Sequence, residues 1–302
     1  MKQDPVGFIG LGLMGKPMAK NLLVAGFRVI VHSRSPAPVD EVVAAGAERA
    51  ISPADVARRC TCIITMLPDS PDVERVLEGP DGVFGGLQAE TILIDTSSIS
   101  PAVARRLAAK AKTLGAAMLD APVSGGEIGA IDGTLSIMVG GDPDAFAAVK
   151  PILDAIGNPE KVIRVGDSGA GQICKVCNQM VIGGTLVAVA EAFALARKSG
   201  VDPARVRDAL LGGFAASRVL EVHGERILKS NYKPGFRSVL YGKDMRIAAA
   251  TLTEYDTPAP ESAVVQQLVA TLVASGKGDL DYSALATVIF ELAGLGDHVP
   301  SA

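Results

Sequence analysis

A short apolar run followed by a glycine-rich turn constrains the fold of this chain more than any other segment. Val6–Ile9 reads as a buried strand, and it ends at Gly10-Leu-Gly12-Leu-Met-Gly15. A helical pattern follows and closes at Gly26. The order of strand, G-x-G-x-x-G and helix is typical of a dinucleotide-binding βα unit, the alternative being an ordinary tight connection.

Each glycine of this turn has a separate predicted role. Gly10 allows the tight turn, Gly12 lets the backbone approach a pyrophosphate, and Gly15 lets the helix pack close to the strand. The phosphates would bind the open N–H groups of the helix N-terminus. The predicted cofactor contacts in this segment are Gly10, Leu11, Gly12, Leu13, Met14 and Gly15.

The residues after the second predicted strand, Arg28–Val31, indicate which dinucleotide is preferred. A dinucleotide fold usually has an acidic residue here for the ribose hydroxyls, whereas this chain has Ser33 followed by Arg34. The missing carboxylate removes repulsion against a 2′-phosphate, and an arginine can pair with that phosphate. We therefore expect NADP(H) to be preferred and NAD(H) to be the second candidate; the alternative is that Arg34 is merely solvated.

Strand-like runs then alternate with helix-start signals. The signals are a capping residue before a proline, at Ser52-Pro53, Ser70-Pro71, Ser100-Pro101 and Asp142-Pro143. The runs are Cys62–Leu67, Thr91–Asp95, Ala117–Leu119, Leu135–Val139 and Val162–Val165. This alternation predicts an α/β fold with a doubly wound, mainly parallel Rossmann sheet.

After Gly166 only helical patterning remains. We predict a Rossmann domain over residues 1–165 and an all-helical substrate and oligomerisation domain over 166–302, joined by one long helix, Gly169–Arg197. Asp202-Pro203 starts a further helix, a loop covers Lys233–Arg237, and Tyr241-Gly-Lys243-Asp244 leads into another helix that runs through Ala250. The tail His298–Ala302 is expected to fray.

The long helix carries one lysine near its start. Asn178 and Gln179 lie three and four residues after Lys175, on the same side of the helix, and no charged residue follows until Glu191. The uncharged run is short and interrupted by glycines, which favours a buried helix over a membrane span. Lys175 is either a snorkelling lysine at a helix end or a functional group.

Two predicted strands end in polar sequences, Asp95-Thr96-Ser97-Ser98 and Asp120-Ala-Pro-Val-Ser124-Gly125-Gly126. Ligands of such sheets gather at the carboxyl ends of the strands. A hydroxyl followed by two glycines offers unhindered N–H donors, so Ser124, Gly125 and Gly126 are candidates for binding a carboxylate. The alternative is a simple turn.

A nicotinamide cofactor transfers hydride, and reduction of a carbonyl also needs a proton donor. Histidine is the commonest general acid, but His32 belongs at the adenosine end, and His223 and His298 lie in unpromising contexts. Lys175 can donate the proton instead, with Asn178 orienting the lysine or holding a substrate hydroxyl.

The net charge of −4 and a pI near 5.5 argue against nucleic acid and anionic membranes as partners. The N-terminus lacks the apolar segment of a signal peptide, so we expect a cytoplasmic protein. The four cysteines form two close pairs, Cys60 with Cys62 and Cys174 with Cys177. Two such pairs could bind zinc. We prefer the interpretation that they are buried thiols, and we expect no metal.

Four segments resemble motifs of the β-hydroxyacid dehydrogenase family, in the right order and over nearly the whole chain: Gly7–Gly15, Asp120–Gly126, Gly169–Asn178 and Lys243-Asp244. The family includes 3-hydroxyisobutyrate dehydrogenases, tartronate semialdehyde reductases and glyoxylate/succinic semialdehyde reductases. The resemblance implies a Rossmann domain, an all-helical domain and an active site in the cleft between them. It implies an NAD(P)-dependent oxidoreductase that acts on a small carboxylate substrate.

By position, Lys175 matches the catalytic lysine of the family, and Ser124, Gly125 and Gly126 match its substrate-carboxylate loop. Many members have asparagine four residues after the lysine, where this chain has Gln179, so either Asn178 or Gln179 contacts the substrate. Ser217 either binds the substrate or caps a helix. Lys243 is a candidate for binding both the substrate and the cofactor. The remaining predicted cofactor contacts are Leu67, Pro68, Thr96, Lys243 and Asp244.

The segments Gly212–Leu220 and Lys233–Arg237 look most like the branch that reduces tartronate semialdehyde to glycerate. The alternatives are the 3-hydroxyisobutyrate dehydrogenase and glyoxylate/succinic semialdehyde reductase branches. A dinucleotide-binding sensor without turnover is the alternative from another class. The apolar excess of the helical domain predicts a homodimer or homotetramer.

Overall fold

The fold was obtained as a computed structural model that describes residues 4–296. The chain divides into two compact units, the first ending at Lys175 and the second starting at Val176. The tail predicted to fray, His298–Ala302, lies outside the described residues. The domain boundary predicted at residue 165 stays a prediction, since the first turn of the long helix clusters with the first unit.

The described part of the first unit is built on one nine-stranded sheet with the order β3-β2-β1-β4-β5-β6-β8-β7, and β9 pairs with β8. Strands β1 to β6 pair in parallel, and β8 is antiparallel to β6 and β7 but parallel to β9. The strands are β1 Val6–Ile9, β2 Val29–His32, β3 Glu48–Arg49, β4 Cys62–Thr65, β5 Ile92–Asp95, β6 Ala117–Asp120, β7 Val123–Ser124, β8 Leu135–Gly140 and β9 Gly157–Gly166. The predicted mainly parallel sheet is confirmed.

Both faces of the sheet are buried. Neighbouring residues of one strand point to opposite faces, so Ile64 and Ile94 join one apolar cluster while Ile63 and Leu93 join another. Burial on both faces explains why the strands read as continuous apolar runs rather than as alternating patterns. The helices that cover the sheet are α1 Gly15–Val24, α2 Pro36–Ala44, α3 Pro53–Arg59, α4 Ser70–Glu78, α5 Val83–Gly86, α6 Pro101–Thr113, α7 Gly126–Asp132 and α8 Pro143–Ile156.

The predicted capping residues are confirmed at two of the four positions. The Ser52 hydroxyl accepts a hydrogen bond from Asp55 N, and the Asp142 carboxylate accepts from two backbone amides of α8. At α4 the prediction was wrong by one residue, because Asp69 caps the helix and Ser70 is its first residue. Ser100 precedes α6, but its side chain makes no capping hydrogen bond.

The described residues of the second unit form helices joined by turns and loops, with an isolated bridge between Arg237 and Asp281. Its helices are α9 Ala170–Lys198, α10 Pro203–Leu211, α11 Arg218–Leu228, α12 Ser238–Glu254, α13 Pro260–Leu272 and α14 Leu285–Leu292. Helix α9 belongs to this unit from Val176 onward. Helical turns at Val273–Lys277 and Tyr282–Ala284 separate α13 from α14. The predicted long helix is confirmed to within one residue at each end. Helix α12 starts at Ser238, so the segment Tyr241–Asp244, which was predicted to lead into a helix, lies inside it.

Helix α9 is the axis of this unit's apolar core. Leu186, Ala190 and Phe193 are fully buried against side chains from the other helices of the unit, such as Tyr241 and Phe290. By length and composition alone α9 could cross a membrane, but 56% of its most apolar window is buried inside the protein. The core helix of a folded domain passes the same test.

Candidate functional site

The glycine turn between β1 and α1 has the geometry that its sequence predicts. Gly10 has a φ of +99°, and a Cβ there would lie 2.3 Å from the Met66 carbonyl oxygen. A Cβ on Gly15 would lie 1.9 Å from the Gly10 carbonyl oxygen, so only glycine lets α1 approach the turn. The predicted packing roles of Gly10 and Gly15 are confirmed.

Gly12 differs from its two neighbours in the motif. A Cβ on Gly12 would have no atom within 4 Å, so the packing of the protein does not require glycine there. Gly12 and Leu13 are exposed, and Met14, the residue before α1, provides no side-chain cap for the helix amides. An exposed backbone beside uncapped helix amides fits the pyrophosphate of a nicotinamide dinucleotide.

Ser33 and Arg34 follow directly after β2. The Ser33 hydroxyl accepts a weak hydrogen bond from Leu11 N at 3.4 Å, which connects the ribose position to the glycine turn. Arg34 is exposed, and no acidic side chain stands at either position. The arrangement fits a 2′-phosphate, but the NADP(H) preference itself stays a prediction.

The loops after β4 and β5 form one hydrogen-bonded unit. Leu67 N donates to the Ser97 hydroxyl at 2.8 Å, and that hydroxyl donates to Asp95 Oδ1 at 2.6 Å. Thr96 is fully buried, and its hydroxyl donates to the Thr65 carbonyl at 2.6 Å. The predicted cofactor contacts in these loops, Leu67, exposed Pro68 and Thr96, stay predictions.

Asp95 organises these two loops from the end of β5. Its Oδ1 also accepts a hydrogen bond from the Thr65 hydroxyl at 2.7 Å, whereas its Oδ2 is buried without a partner among the described residues. Burial raises the pKa of Asp95 to about 6, against the opposing effect of the hydrogen bonds from Ser97 and Thr65.

The predicted carboxylate-binding loop follows β7 and leads into α7. Gly125 and Gly126 have φ values of +139° and +64°, which side-chain-bearing residues rarely adopt. Both glycines are exposed and Ser124 is half-buried. The loop therefore presents a hydroxyl and accessible backbone, as binding of a small anion requires.

The ammonium of Lys175 lies beside this loop. Lys175 Nζ donates a hydrogen bond to the Val123 carbonyl at 2.9 Å, and Val123 directly precedes Ser124. The lysine is half-buried. A snorkelling lysine would extend its ammonium into solvent, whereas this ammonium is held next to the predicted substrate loop.

Two residues for which the sequence predicted no individual role fix the first turn of α9. The buried Asp120 accepts hydrogen bonds from Gly169 N at 2.7 Å and Gln172 N at 2.9 Å. Burial raises the pKa of Asp120, and the backbone hydrogen bonds oppose that rise. Gln172, which is 1% exposed, binds the backbone of Ser97 and Ile99. No local sequence signal marks these contacts of Gln172, because its partners lie 73 and 75 residues away along the chain.

In the second unit, Gln179 and Asp244 form a buried network. Gln179 Nε2 donates to Asp244 Oδ2 at 2.6 Å, and Lys243 Nζ lies 2.9 Å from Asp244 Oδ1. Gln179, Lys243 and Asp244 are all buried. Asn178 is half-buried and donates to Gln179 Oε1 at 2.7 Å. Asn178 is thus the more accessible amide, while the predicted roles of Lys243 and Asp244 stay predictions.

Ser217 serves as the N-cap of α11. Its hydroxyl accepts a hydrogen bond from Leu220 N at 3.0 Å, which is the alternative that the sequence left open. The predicted loop Lys233–Arg237 is confirmed between α11 and α12. The buried Asp281 holds this loop by accepting from Gly235 N at 3.0 Å and Phe236 N at 3.1 Å.

The cysteine pairs do not build a metal centre in residues 4–296, where no group of three or more His, Cys, Asp or Glu side chains could hold a metal ion. Cys60 and Cys62 are buried in the first unit, and burial raises the pKa of both thiols to about 12. Both are therefore protonated at neutral pH and behave as apolar side chains.

Comparison with known families and proteins agrees with this geometry. Residues 5–169 match the NAD-binding domain of 6-phosphogluconate dehydrogenase, and residues 169–289 match the family described as NAD-binding of NADP-dependent 3-hydroxyisobutyrate dehydrogenase. The chain is 46% identical over 285 residues to 2-hydroxy-3-oxopropionate reductase of Escherichia coli K12, an alignment that covers 94% of this chain and 96% of the relative.

The chain is also 37% identical over 291 residues to mouse mitochondrial 3-hydroxyisobutyrate dehydrogenase, with 94% of this chain and 86% of the relative covered. A solved structure of Mycobacterium tuberculosis 3-hydroxyisobutyrate dehydrogenase with L-serine is similar in fold, with a TM-score of 0.88 and 33% identity over 95% of this chain and 99% of that one. The chain belongs to the β-hydroxyacid dehydrogenase family of NAD(P)-dependent oxidoreductases.

Proposed function

We propose that this protein reduces tartronate semialdehyde to glycerate with NADPH, and that Lys175 is the general acid. The observation that carries the proposal is the position of Lys175 Nζ, 2.9 Å from the Val123 carbonyl and directly beside the loop Ser124–Gly126, whose two glycines are exposed. A proton donor next to an anion-binding loop suits a substrate whose carboxylate and aldehyde are separated by a single carbon.

Each residue has a defined task in this proposal. The Ser124 hydroxyl and the backbone of Gly125 and Gly126 bind the substrate carboxylate, which directs the aldehyde oxygen towards Lys175. When bound, the dihydronicotinamide supplies the hydride to the aldehyde carbon. Lys175 hydrogen-bonds the aldehyde oxygen and transfers its proton to that oxygen, so the aldehyde group CHO becomes CH2OH. Asn178, one helical turn further along α9, binds a substrate hydroxyl.

The choice of substrate is supported by 46% identity to 2-hydroxy-3-oxopropionate reductase, against 37% for mouse 3-hydroxyisobutyrate dehydrogenase. The choice of NADPH is supported by Ser33 and the exposed Arg34 at the ribose position. The second candidate function is oxidation of 3-hydroxyisobutyrate, the reaction for which the mouse relative is named.

The test is a panel of tartronate, methylmalonate and succinate semialdehydes and glyoxylate, each assayed with NADPH and NADH. We expect the highest kcat/KM for tartronate semialdehyde with NADPH. The highest value for methylmalonate semialdehyde would assign the chain to the second candidate. No oxidation of either cofactor by any of the four would refute reduction of small semialdehyde acids and favour the dinucleotide sensor.

We also propose that the protein acts in the cytoplasm as a homodimer or homotetramer, with neither nucleic acid nor membrane as a partner. Apolar side chains of the second unit that remain exposed support self-association: Val181 and Leu195 on α9 and Leu292 on α14 are 68%, 70% and 76% exposed. Light scattering coupled to gel filtration tests this, and a monomer at micromolar concentration would contradict it.

A further inference from the structure

Gln172 connects the first turn of α9 to the loop that follows β5. Its Oε1 accepts a hydrogen bond from Ile99 N at 3.1 Å, and its Nε2 donates to the Ser97 carbonyl at 2.8 Å. The side chain is 1% exposed, so both ends of its amide are bonded away from water. Removing such a side chain leaves buried backbone groups without partners, and the loop must then shift.

The loop that Gln172 holds belongs to the predicted cofactor site. Ser97 accepts from Leu67 N at 2.8 Å, so the loops after β4 and β5 move together. Leu67 and Thr96 are both predicted cofactor contacts. The Gln172 amide therefore joins the backbone around the proposed cofactor to the helix that carries Lys175.

The same turn of α9 is also fixed by Asp120 and by close packing. Asp120 accepts from Gly169 N at 2.7 Å and Gln172 N at 2.9 Å. A Cβ on Gly171 would lie 2.4 Å from the Met138 carbonyl oxygen, so the turn is in direct backbone contact with β8. With these contacts intact, loss of the Gln172 amide displaces the loop and the helix turn relative to each other without unfolding the unit.

We propose that Gln172 is a positioning residue that sets the distance between the Lys175 ammonium and the loops of the cofactor site, an inference that rests on the proposed function of Lys175. Gln172 precedes Lys175 by three residues, about 4.5 Å along the helix axis and on the same side of the helix. A displacement of about 1 Å between reacting groups can reduce the rate about 100-fold.

The first test is Gln172→Met, which keeps the volume and removes both hydrogen bonds. We expect kcat to fall about 10- to 100-fold, because the proton and the hydride donors are no longer aligned. The Kd for NADPH should change less than kcat does, because the glycine turn that is proposed to bind the pyrophosphate is unaltered in this variant. With 4-deuterated NADPH, the isotope effect on kcat should rise as the chemical step becomes rate-limiting.

Two matched controls separate positioning from a general loss of stability. Gln88→Met removes an exposed amide that also donates to a backbone carbonyl, that of Arg58, and so controls for the chemical change rather than for burial. Val149→Ala truncates a buried side chain of α8 in the same unit. We expect both controls to keep the wild-type kcat and isotope effect, although Val149→Ala lowers the melting temperature.

The conservative variant Gln172→Glu provides a readout that a purely structural role would not change. Its protonated carboxyl can still accept from Ile99 N and donate to the Ser97 carbonyl, whereas its ionised form places a carboxylate against that carbonyl. The kcat of Gln172→Glu should therefore exceed that of Gln172→Met and approach the wild-type value as the pH falls. Equal kcat in the two variants at every pH would overturn the proposal, as would wild-type kcat in Gln172→Met.

The double variant Lys175→Met with Gln172→Met distinguishes this proposal from the proposed function. If Gln172 acts through Lys175, the double variant is no slower than Lys175→Met alone. Multiplicative losses in the double variant would overturn the positioning role and leave the general acid intact. Full activity of Lys175→Met would instead refute the proposed function, whatever the Gln172 variants do.

Discussion

Alanine substitutions at Gly12 and Gly15 should separate the glycine that the cofactor needs from the glycine that the fold needs. A Cβ on Gly15 would lie 1.9 Å from the Gly10 carbonyl oxygen and 3.1 Å from Phe8 Cε1, so helix α1 must move away from β1. Overpacking of this kind costs about 1–3 kcal/mol. A Cβ on Gly12 would meet no atom within 4 Å, and its backbone has no positive φ.

The expected stabilities therefore differ between the two variants. Gly15→Ala should lower the melting temperature of the first unit by roughly 2–12 °C, since 1 kcal/mol corresponds to about 2–4 °C for a unit of this size. Gly12→Ala should be unchanged or more stable by about 0.4–1 kcal/mol, because alanine restricts the unfolded chain. Thermal unfolding without cofactor measures both values.

The expected affinities follow from the opposite argument. In Gly12→Ala the methyl group fills the space where the pyrophosphate would approach the backbone. Loss of one charge-assisted hydrogen bond costs about 1.5–3 kcal/mol, which weakens the Kd for NADPH about 10- to 150-fold. A fluorescence titration with NADPH measures this. The reasoning is refuted if Gly12→Ala binds NADPH as tightly as the wild type, or if it unfolds as early as Gly15→Ala.

Two further predictions concern cofactor choice and pH. Arg34→Ala should raise the KM for NADPH about 10-fold or more and leave the KM for NADH nearly unchanged, because only NADPH has a 2′-phosphate to pair with this guanidinium. Equal changes in both KM values would contradict the role of Arg34. Burial raises the pKa of Asp95 from 3.8 to about 6 in the folded state. The folded protein thus binds more protons than the unfolded chain between these values, and stability falls as the pH rises through them. This loss amounts to about 2–3 kcal/mol of the free energy of unfolding between pH 4 and pH 7, and Asp95→Asn should remove it. Urea unfolding at several pH values measures the effect. The same pH dependence in the variant and the wild type would refute the raised pKa of Asp95.

Local sequence patterns were sufficient for most of the fold. The buried parallel strands read as continuous apolar runs, and Asp142 and Asp202 mark helix starts because their side chains cap the exposed amides. Two strands were not predicted, β3 and β7, each of two residues. They are too short to show a period, and only their pairing with β2 and β8 makes them strands.

The site was predictable where the backbone alone decides it, and less so where tertiary hydrogen bonds decide it. Gly10 and Gly15 could be assigned because their spacing encodes a turn. The amide of Gln179 is bonded to Asp244, 65 residues away, and Gln172 to Ser97, 75 residues away. No local pattern encodes pairs so distant along the chain, so the sequence could neither choose between Asn178 and Gln179 nor identify Gln172.

The most direct test of the account is the turnover of Lys175→Met with tartronate semialdehyde and NADPH, beside Lys112→Met as a control on the exposed side of α6. Loss of a general acid reduces kcat about 10²- to 10⁴-fold. We predict a loss in this range for Lys175→Met, with the Kd for NADPH within about twofold of the wild type, and wild-type kinetics for Lys112→Met. A Lys175→Met enzyme that keeps more than about a tenth of the wild-type kcat would contradict the assignment of Lys175 as the proton donor.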